Sequence, residues 1–483
     1  LDIVKKTFNF IYLKIDYVIL SLISLIIVLQ SPLRPFGSGI SGVDSSVFRY
    51  IGREMARGQL PYRDIFDHKG PLLYLINYIG ENTLKGYGTW LIELLFMFVT
   101  IVSLYKVARL FTDRFVALFP VIIALLPMSL YFEQGNLVEE YALPFISISL
   151  YIFLKSIINK ESLSRRNIFI LGAMFSCVAL LRPNMVVVWV VFCGFLFIKA
   201  IIIKNWRMIK DYVIYFTLGS LSMALITLSP FIITRTMFNF YDTYLIFNLE
   251  YSKLMPGNKL ASIMFFSSNT IFIFSIAILL GGVLIKLTKR NYNRIELYLL
   301  SLLFLITSLI SVTLSGMNYG HYGIILIPCY LIPAALAISS IYGYFEYCVS
   351  KRIAIFIATL LLIMSSYQIF ETFHKNIKSA AIKDSSLDSV VEVLKEFSKE
   401  DGKILVDGNN VILYLLLDKV SASKYIYQYP IKLIRPSISE EYEKDKRVAP
   451  IFISNTANAT LIDNDVEMDI INGYYIYYRK ASE

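Results

Sequence analysis

Apolar positions along the chain gather into long unbroken runs separated by short polar stretches, without the strict alternation that marks half-buried strands. The runs begin near residues 16, 88, 115, 140, 167, 185, 212, 262, 296, 323 and 352, and most approach the roughly 20 residues that cross a bilayer as a helix. They predict an all-α polytopic membrane bundle of about eleven spans, since a helix satisfies its own backbone in lipid. The stretch from Ile168 to Ile203 is too long for one span, because about 36 residues at 1.5 Å each outrun a hydrocarbon core of about 30 Å. Arg182-Pro183-Asn184 is therefore expected to break it into a hairpin. The first run follows Lys5, Lys6 and Lys14 and reaches Gln30 without a small-residue cleavage site, which reads as a retained helix.

Two regions depart from this pattern. Between about Ser31 and Pro71 lies a long polar loop in which Val47, Phe48, Ile51 and Met55 share one helical face, predicting an amphipathic helix in the membrane interface. From about Asn376 the runs fade and acids come to outnumber bases, reversing the balance upstream. Residues 376–483 are read as a small soluble α/β domain following a transmembrane domain of residues 1–375. In it Ser386–Lys399 has helical spacing, Lys403–Val406 and Gly473–Tyr478 read as strands, and Val411–Leu417 fits either.

Composition agrees with a membrane chain, with 56% hydrophobic and 17% charged residues among 483. Cys177, Cys193, Cys329 and Cys348 lie singly in or beside apolar runs, as packing residues do, and suggest neither a disulfide framework nor a zinc knuckle. A net charge of +10 would suit a nucleic-acid binder in a soluble protein. Here the bases sit in short loops, so they report topology and no nucleic-acid partner is expected. Lys106, Arg109 and Arg114, then Lys155 to Arg166, Lys199 to Lys210, Lys286 to Arg294, and Lys351 with Arg352 all fall on one side. That side is expected to be cytoplasmic, with the N-terminus inside and the C-terminal domain outside. The first loop is the exception, since Arg34, Arg49, Arg53, Arg57, Arg63 and Lys69 fall on the outer side. Bases there suit an anionic neighbour such as a lipid phosphate.

Ionisable groups beside a bilayer are costly unless they serve a partner, a cavity or a surface, so their placement points to chemistry. Asp44 stands at the start of the loop helix, where it caps the helix or serves as a general base. Asp67-His68-Lys69 packs an acid, an imidazole and a base before Gly70-Pro71. Lys69 is placed to hold a phosphate, with Asp67 or His68 orienting it or ligating a divalent metal, although two ligands alone make no metal site. Further along, Glu133, Glu139 and Glu140 crowd one outer turn. A capping box of Asn136 and Glu139 would leave Glu140 as the functional acid. Arg182 snorkels or grips phosphate with its guanidinium fork. The segment from Arg235 to Lys259 interleaves Tyr241, Tyr244 and other rings with Asn248. With Tyr62 these residues form an aromatic belt or line a groove for acceptor or isoprenoid. His321, in Asn318-Tyr319-Gly320-His321-Tyr322, meets a diphosphate or caps a helix.

Asp44 ahead of a surface helix, followed by Gly-x-x-Pro-Tyr-x-Asp-x-Phe-Asp-His-Lys-x-Pro from Gly58 to Pro71, resembles the first outer loop of polyprenyl-phosphate-dependent C-type glycosyltransferases, among them the protein O-mannosyltransferases and the aminoarabinose transferases. Leu181-Arg182-Pro183, Gly320-His321-Tyr322 and Ser421-Ala422-Ser423-Lys424-Tyr425 extend the resemblance over nearly the whole chain. It implies a sugar-phosphate lipid donor, inverting transfer outside the cytoplasm, Asp44 as the catalytic acid residue and Lys69 on the carrier phosphate. An envelope glycan, lipid or protein would be the acceptor. Many relatives have an Asp-Glu pair where Asp44 is followed by Ser45, and aminoarabinose transferases have Glu-Lys-Pro-Pro where this chain has His68-Lys69-Gly70-Pro71. A flippase for a lipid-linked saccharide would share many spans and outer bases, and a receptor or scaffold would share the outer domain. Transport calls for charged groups within the spans, where Glu93 is the main one.

Overall fold

The computed structural model describes residues 2–254, 257–348, 370–381, 385–397, 402–457 and 466–479. The chain divides into two compact units. The first gathers Leu1–Gln30, Ile92–Thr227 and Gly257–Ile377; the second gathers Ser31–Leu91, Leu228–Pro256 and Lys378–Glu483.

Among the described residues six helices are long and apolar enough to cross a membrane: Gly88–Ala108, Val138–Asn159, Trp206–Ile233, Thr270–Thr288, Ile295–Val312 and Gly320–Ile341. Ile15–Val28, Leu118–Tyr131 and Val187–Ile202 are apolar but shorter, as is Arg165–Ala179. The run expected from about residue 352 lies outside the described residues. Prolines shorten two of the runs. Pro183 opens a short 3-10 turn, Pro183–Met185, between Arg165–Ala179 and Val187–Ile202, so the expected hairpin break is present. Pro127 likewise separates Leu118–Leu125 from Met128–Tyr131.

The helices of the first unit differ in how much protein covers them. Val138–Asn159 and Gly320–Ile341 are 67% and 72% buried over their most apolar windows and form the interior. Thr270–Thr288 is only 17% buried over its window, and its exposed Phe274, Leu280 and Leu284 are satisfied only by an apolar solvent. Close packing is set by glycine where Arg165–Ala179 crosses Trp206–Ile233. A Cβ on Gly172 would stand 2.1 Å from the carbonyl oxygen of Phe216, and one on Gly219 would stand 2.0 Å from that of Phe169. Small residues at such crossings let helix backbones touch where lipid supplies no hydrophobic drive.

The second unit is built on the first loop. Its helix Val43–Ala56 packs on Pro71–Glu81, with Gly52 against the backbone of Asn77 and an Arg49–Glu81 ion pair at 2.9 Å. Val47, Phe48 and Ile51 are consequently buried. The apolar face expected to lie in the membrane interface is thus covered by protein.

The C-terminal segment supplies a four-stranded sheet in the order β1-β2-β4-β3. Here β1 is Ile404–Val406, β2 Ile451–Ser454, β3 Val466–Ile471 and β4 Tyr474–Arg479. β1 and β2 run parallel with Leu405 beside Phe452, and the other pairs are antiparallel. Asn472 and Gly473 join β3 to β4 with φ of 49° and 83°, the two left-handed residues of a tight hairpin turn. Ser385–Phe397 is helical, and the ambiguous stretch resolves into a short helix, Ile412–Leu416. A small C-terminal sheet with short helices beside it is present, and it belongs to the same compact unit as the first loop.

Candidate active site

The motif of the first loop works as a scaffold, residue by residue. Gly58 has φ of +86°, a conformation open to glycine. Tyr62 also takes a left-handed backbone, with φ of +70°, unusual for a bulky residue. The turn holds because the Tyr62 N–H donates to Ile65 O at 2.8 Å while Asp64 Oδ2 accepts from the Leu60 N–H at 2.8 Å. Pro71 stands at the first position of the next helix, where no amide proton is needed.

Between these anchors the acid, imidazole and base point to different partners. Asp67 is 2% exposed. Its Oδ1 accepts from the Tyr427 hydroxyl at 2.6 Å and from the His68 N–H at 2.8 Å, and its Oδ2 accepts from the Tyr74 hydroxyl at 2.8 Å. Burial pushes the Asp67 pKa up, against the opposing pull of the Lys69 charge and these donors. Burial and the Asp67 charge likewise hold Tyr427 and Tyr74 in the phenol form, as donors.

His68 faces the other way. Asn248 Nδ2 donates to His68 O and Tyr244 O, both at 2.7 Å, which turns Asn248 Oδ1 toward His68 Nδ1 at 2.9 Å. That arrangement calls for the Nδ1–H tautomer. Lys69 is clamped through its backbone: Tyr62 OH donates to its carbonyl at 2.8 Å, and its N–H donates to Tyr74 OH at 3.1 Å. Among the described residues no acceptor is hydrogen-bonded to its ammonium group. For a metal, Asp67 and His68 are joined by no third donor; no group of three or more His, Cys, Asp or Glu suited to one occurs among the described residues.

Asp44 occupies the first turn of Val43–Ala56, and Gly42 is the cap residue with no side-chain capping bond. The capping role considered for Asp44 is therefore absent. Its carboxylate is half-buried and makes no hydrogen bond among the described residues, while its charge is felt at Tyr427. The first turn suits an acid, since the helix dipole favours negative charge there.

The groove residues fare unequally. Tyr62 is fully buried among Tyr74, Phe231 and Phe240, and Tyr244 stacks on Phe240 at 5.3 Å. Asn248 is occupied by His68, and Tyr241 remains 49% exposed. Ring-on-ring packing thus turns Tyr62 and Tyr244 into scaffold rather than open lining. Tyr241–Ile246 forms a π-helical turn, and Arg435 grips Asp242 through two hydrogen bonds and Glu250 through one at 2.7 Å.

In the first unit a second set of candidates forms pairs. Glu133, Gln134, Gly135 and Asn136 all have positive φ, from 41° to 79°. This left-handed turn is held by Glu93, whose buried carboxylate accepts the Asn136 N–H, and by Tyr141 OH donating to Asn136 Oδ1 at 2.7 Å. The cap of the following helix is Leu137, so the capping box of Asn136 and Glu139 does not form. Glu139 instead pairs with Arg182, whose guanidinium lies 4.1 Å from the centre of the Tyr322 ring. His321 is no helix cap: its Nδ1 meets Glu133 Oε2 at 2.6 Å, and its ring stacks on Tyr319. Glu140 is 1% exposed, and neither of its carboxylate oxygens has a hydrogen-bond partner among the described residues.

Tyr74, Tyr427 and Glu93 are the residues whose site contacts the sequence did not disclose. Tyr427 lies two positions beyond the Ser421–Tyr425 stretch, the one signal that pointed toward it.

Known structures share this architecture. ArnT from Cupriavidus metallidurans, solved with undecaprenyl phosphate, superposes with a TM-score of 0.63 at 15% identity, covering 96% of this chain and 98% of that one. The archaeal oligosaccharyltransferase AglB from Archaeoglobus fulgidus, solved with an inhibitory peptide and a dolichol-phosphate, gives 0.55 at 12% identity, covering 91% of this chain and 69% of that one. The chain thus shares the fold of these two proteins. No curated protein sequence matches it. Residues 7–376 match the family described as "Putative competence-induced protein Ccs4 N-terminal domain", and the chain belongs to that Ccs4 family.

Proposed function

We propose that this chain is a membrane glycosyltransferase that takes a sugar from a polyprenyl-phosphate carrier and passes it to an acceptor outside the cytoplasm. The observation that carries the reading is Asp44, a half-buried carboxylate with no hydrogen bond among the described residues, in the same unit as a Lys69 ammonium left equally unbonded. The fold is that of proteins solved with undecaprenyl phosphate and dolichol-phosphate, which supports the donor class.

In this reading Asp44 accepts the proton of an acceptor hydroxyl as that oxygen attacks the anomeric carbon. The bond from that carbon to the carrier phosphate oxygen breaks, its electron pair leaves with the lipid phosphate, and the configuration inverts. Lys69 compensates the charge gathering on that phosphate. Arg182, with its planar fork, is a further candidate for phosphate, though Glu139 already holds one of its edges. An envelope glycan, lipid or protein serves as acceptor.

The test is mass spectrometry of envelope glycans from a deletion strain carrying the wild-type chain or Asp44→Asn at matched membrane levels. Loss of one sugar in both the deletion and the Asp44→Asn strain, by about 100-fold or more, is expected from removal of a general base. Full restoration by Asp44→Asn would sink the catalytic role and favour a flippase.

A further inference from the structure

We propose that Tyr427 of the C-terminal lobe is a positioning residue of the first-loop site, acting through Asp67 on Lys69; this rests on the reading of Lys69 as the phosphate contact. Three hydrogen bonds join one lobe stretch to the first loop within the second unit. The Ser421 N–H donates to Tyr50 OH at 2.8 Å, the Phe66 N–H donates to Lys424 O at 2.9 Å, and Tyr427 OH donates to Asp67 Oδ1 at 2.6 Å. The first two fix backbone against backbone or phenol. The third reaches a buried carboxylate.

From Asp67 the relay is continuous. Asp67 Oδ2 accepts from Tyr74 OH, and the oxygen of that same hydroxyl accepts the Lys69 N–H. Each phenol has one proton to give, and each is given: Tyr427 and Tyr74 to Asp67, Tyr62 to the Lys69 carbonyl. Lys69 is therefore held at both its N–H and its C=O by phenols, and one of them is oriented by an acid that the lobe pins in place. With its backbone fixed, the Lys69 side chain starts from one place, which lowers the ordering cost of meeting a phosphate. The lobe is thereby a part of the donor site rather than an appendage.

A purified full-length protein titrated with undecaprenyl phosphate in detergent tests the relay, alongside thermal unfolding of each variant. Tyr427→Phe and Tyr74→Phe, which cut the relay at different links, should each weaken binding about tenfold, the loss expected from one hydrogen bond to a charged group. Each variant also deprives the buried Asp67 of a donor, so thermal midpoints should fall modestly while the protein stays folded at the temperature of the titration. Asp67→Asn should also weaken binding, and the Tyr427→Phe, Asp67→Asn double variant should be no worse than Asp67→Asn alone, since both act along one path. Tyr425→Phe is the control, because its hydroxyl donates to Glu441 inside the lobe; it should bind as wild type. Multiplying losses in the double variant, or wild-type binding by both Tyr427→Phe and Tyr74→Phe, would overturn the relay. Lys69→Met separates this failure from that of the underlying reading. If it binds normally, Lys69 is not the phosphate contact; if it alone fails to bind, only the relay falls.

Discussion

Asp67 shows how one residue is placed by its neighbours rather than by its chemistry alone. Being buried, it has a folded-state pKa raised above the unfolded value, so between the two values the folded chain binds more protons than the unfolded one. The stability linked to this group is full below the ordinary aspartate value of about 4 and is lost as pH rises through the raised one. Asp67→Asn should remove this term. Thermal midpoints in detergent from about pH 4 upward should decline with pH in the wild type relative to the variant; parallel curves would mean that burial of Asp67 is not the source. Asp44, Lys69 and Arg182 could be singled out in the sequence because acids and bases beside long apolar runs stand out in composition. Partners could not. Asp67 and Tyr427 are 360 positions apart, and no local periodicity links them. Glu139 was misread as a capping residue because the left-handed turn over Glu133, Gln134, Gly135 and Asn136 moves the helix start to Leu137. Such a turn is costly for non-glycine residues and is written into tertiary contacts such as Glu93 with Asn136.

At the scale of elements, the helices were legible from hydropathy and their breaks from proline. The hairpin at Pro183 follows from a missing amide and a ring that no continuous helix accommodates. Burial was less legible, since Val47, Phe48 and Ile51 form the same amphipathic pattern whether a lipid surface or Pro71–Glu81 covers them. The glycine crossing makes a sharp prediction. Gly172→Val or Gly219→Val would force a side chain into a neighbouring helix backbone, costing about 1–3 kcal/mol or more. Thermal unfolding in detergent should show a clear drop for each. Gly194→Val is the control, since a Cβ there meets nothing within 4 Å. Equal midpoints for all three would mean that the two helices part easily.

At the scale of the whole molecule, the distribution of bases in the sequence predicts that the lobe lies outside the cytoplasm. With the native cysteines replaced, Lys432→Cys should react with a membrane-impermeant maleimide in intact cells and Lys160→Cys should not, both positions being solvent-exposed. Labelling in the opposite sense would invert the topology and remove the outer donor site with it. The direct bond between Asp67 and Tyr427 also has a consequence for biosynthesis. Ribosomes add about 5–20 residues per second, so Asp67 is synthesised roughly 20–70 s before its tyrosine partner. Throughout that interval the nascent chain holds Asp67 without its Tyr427 donor. A polypeptide stalled before the lobe would therefore lack the Asp67–Tyr427 bond, and under the proposed relay its Lys69 would be fully positioned only once synthesis has passed Tyr427.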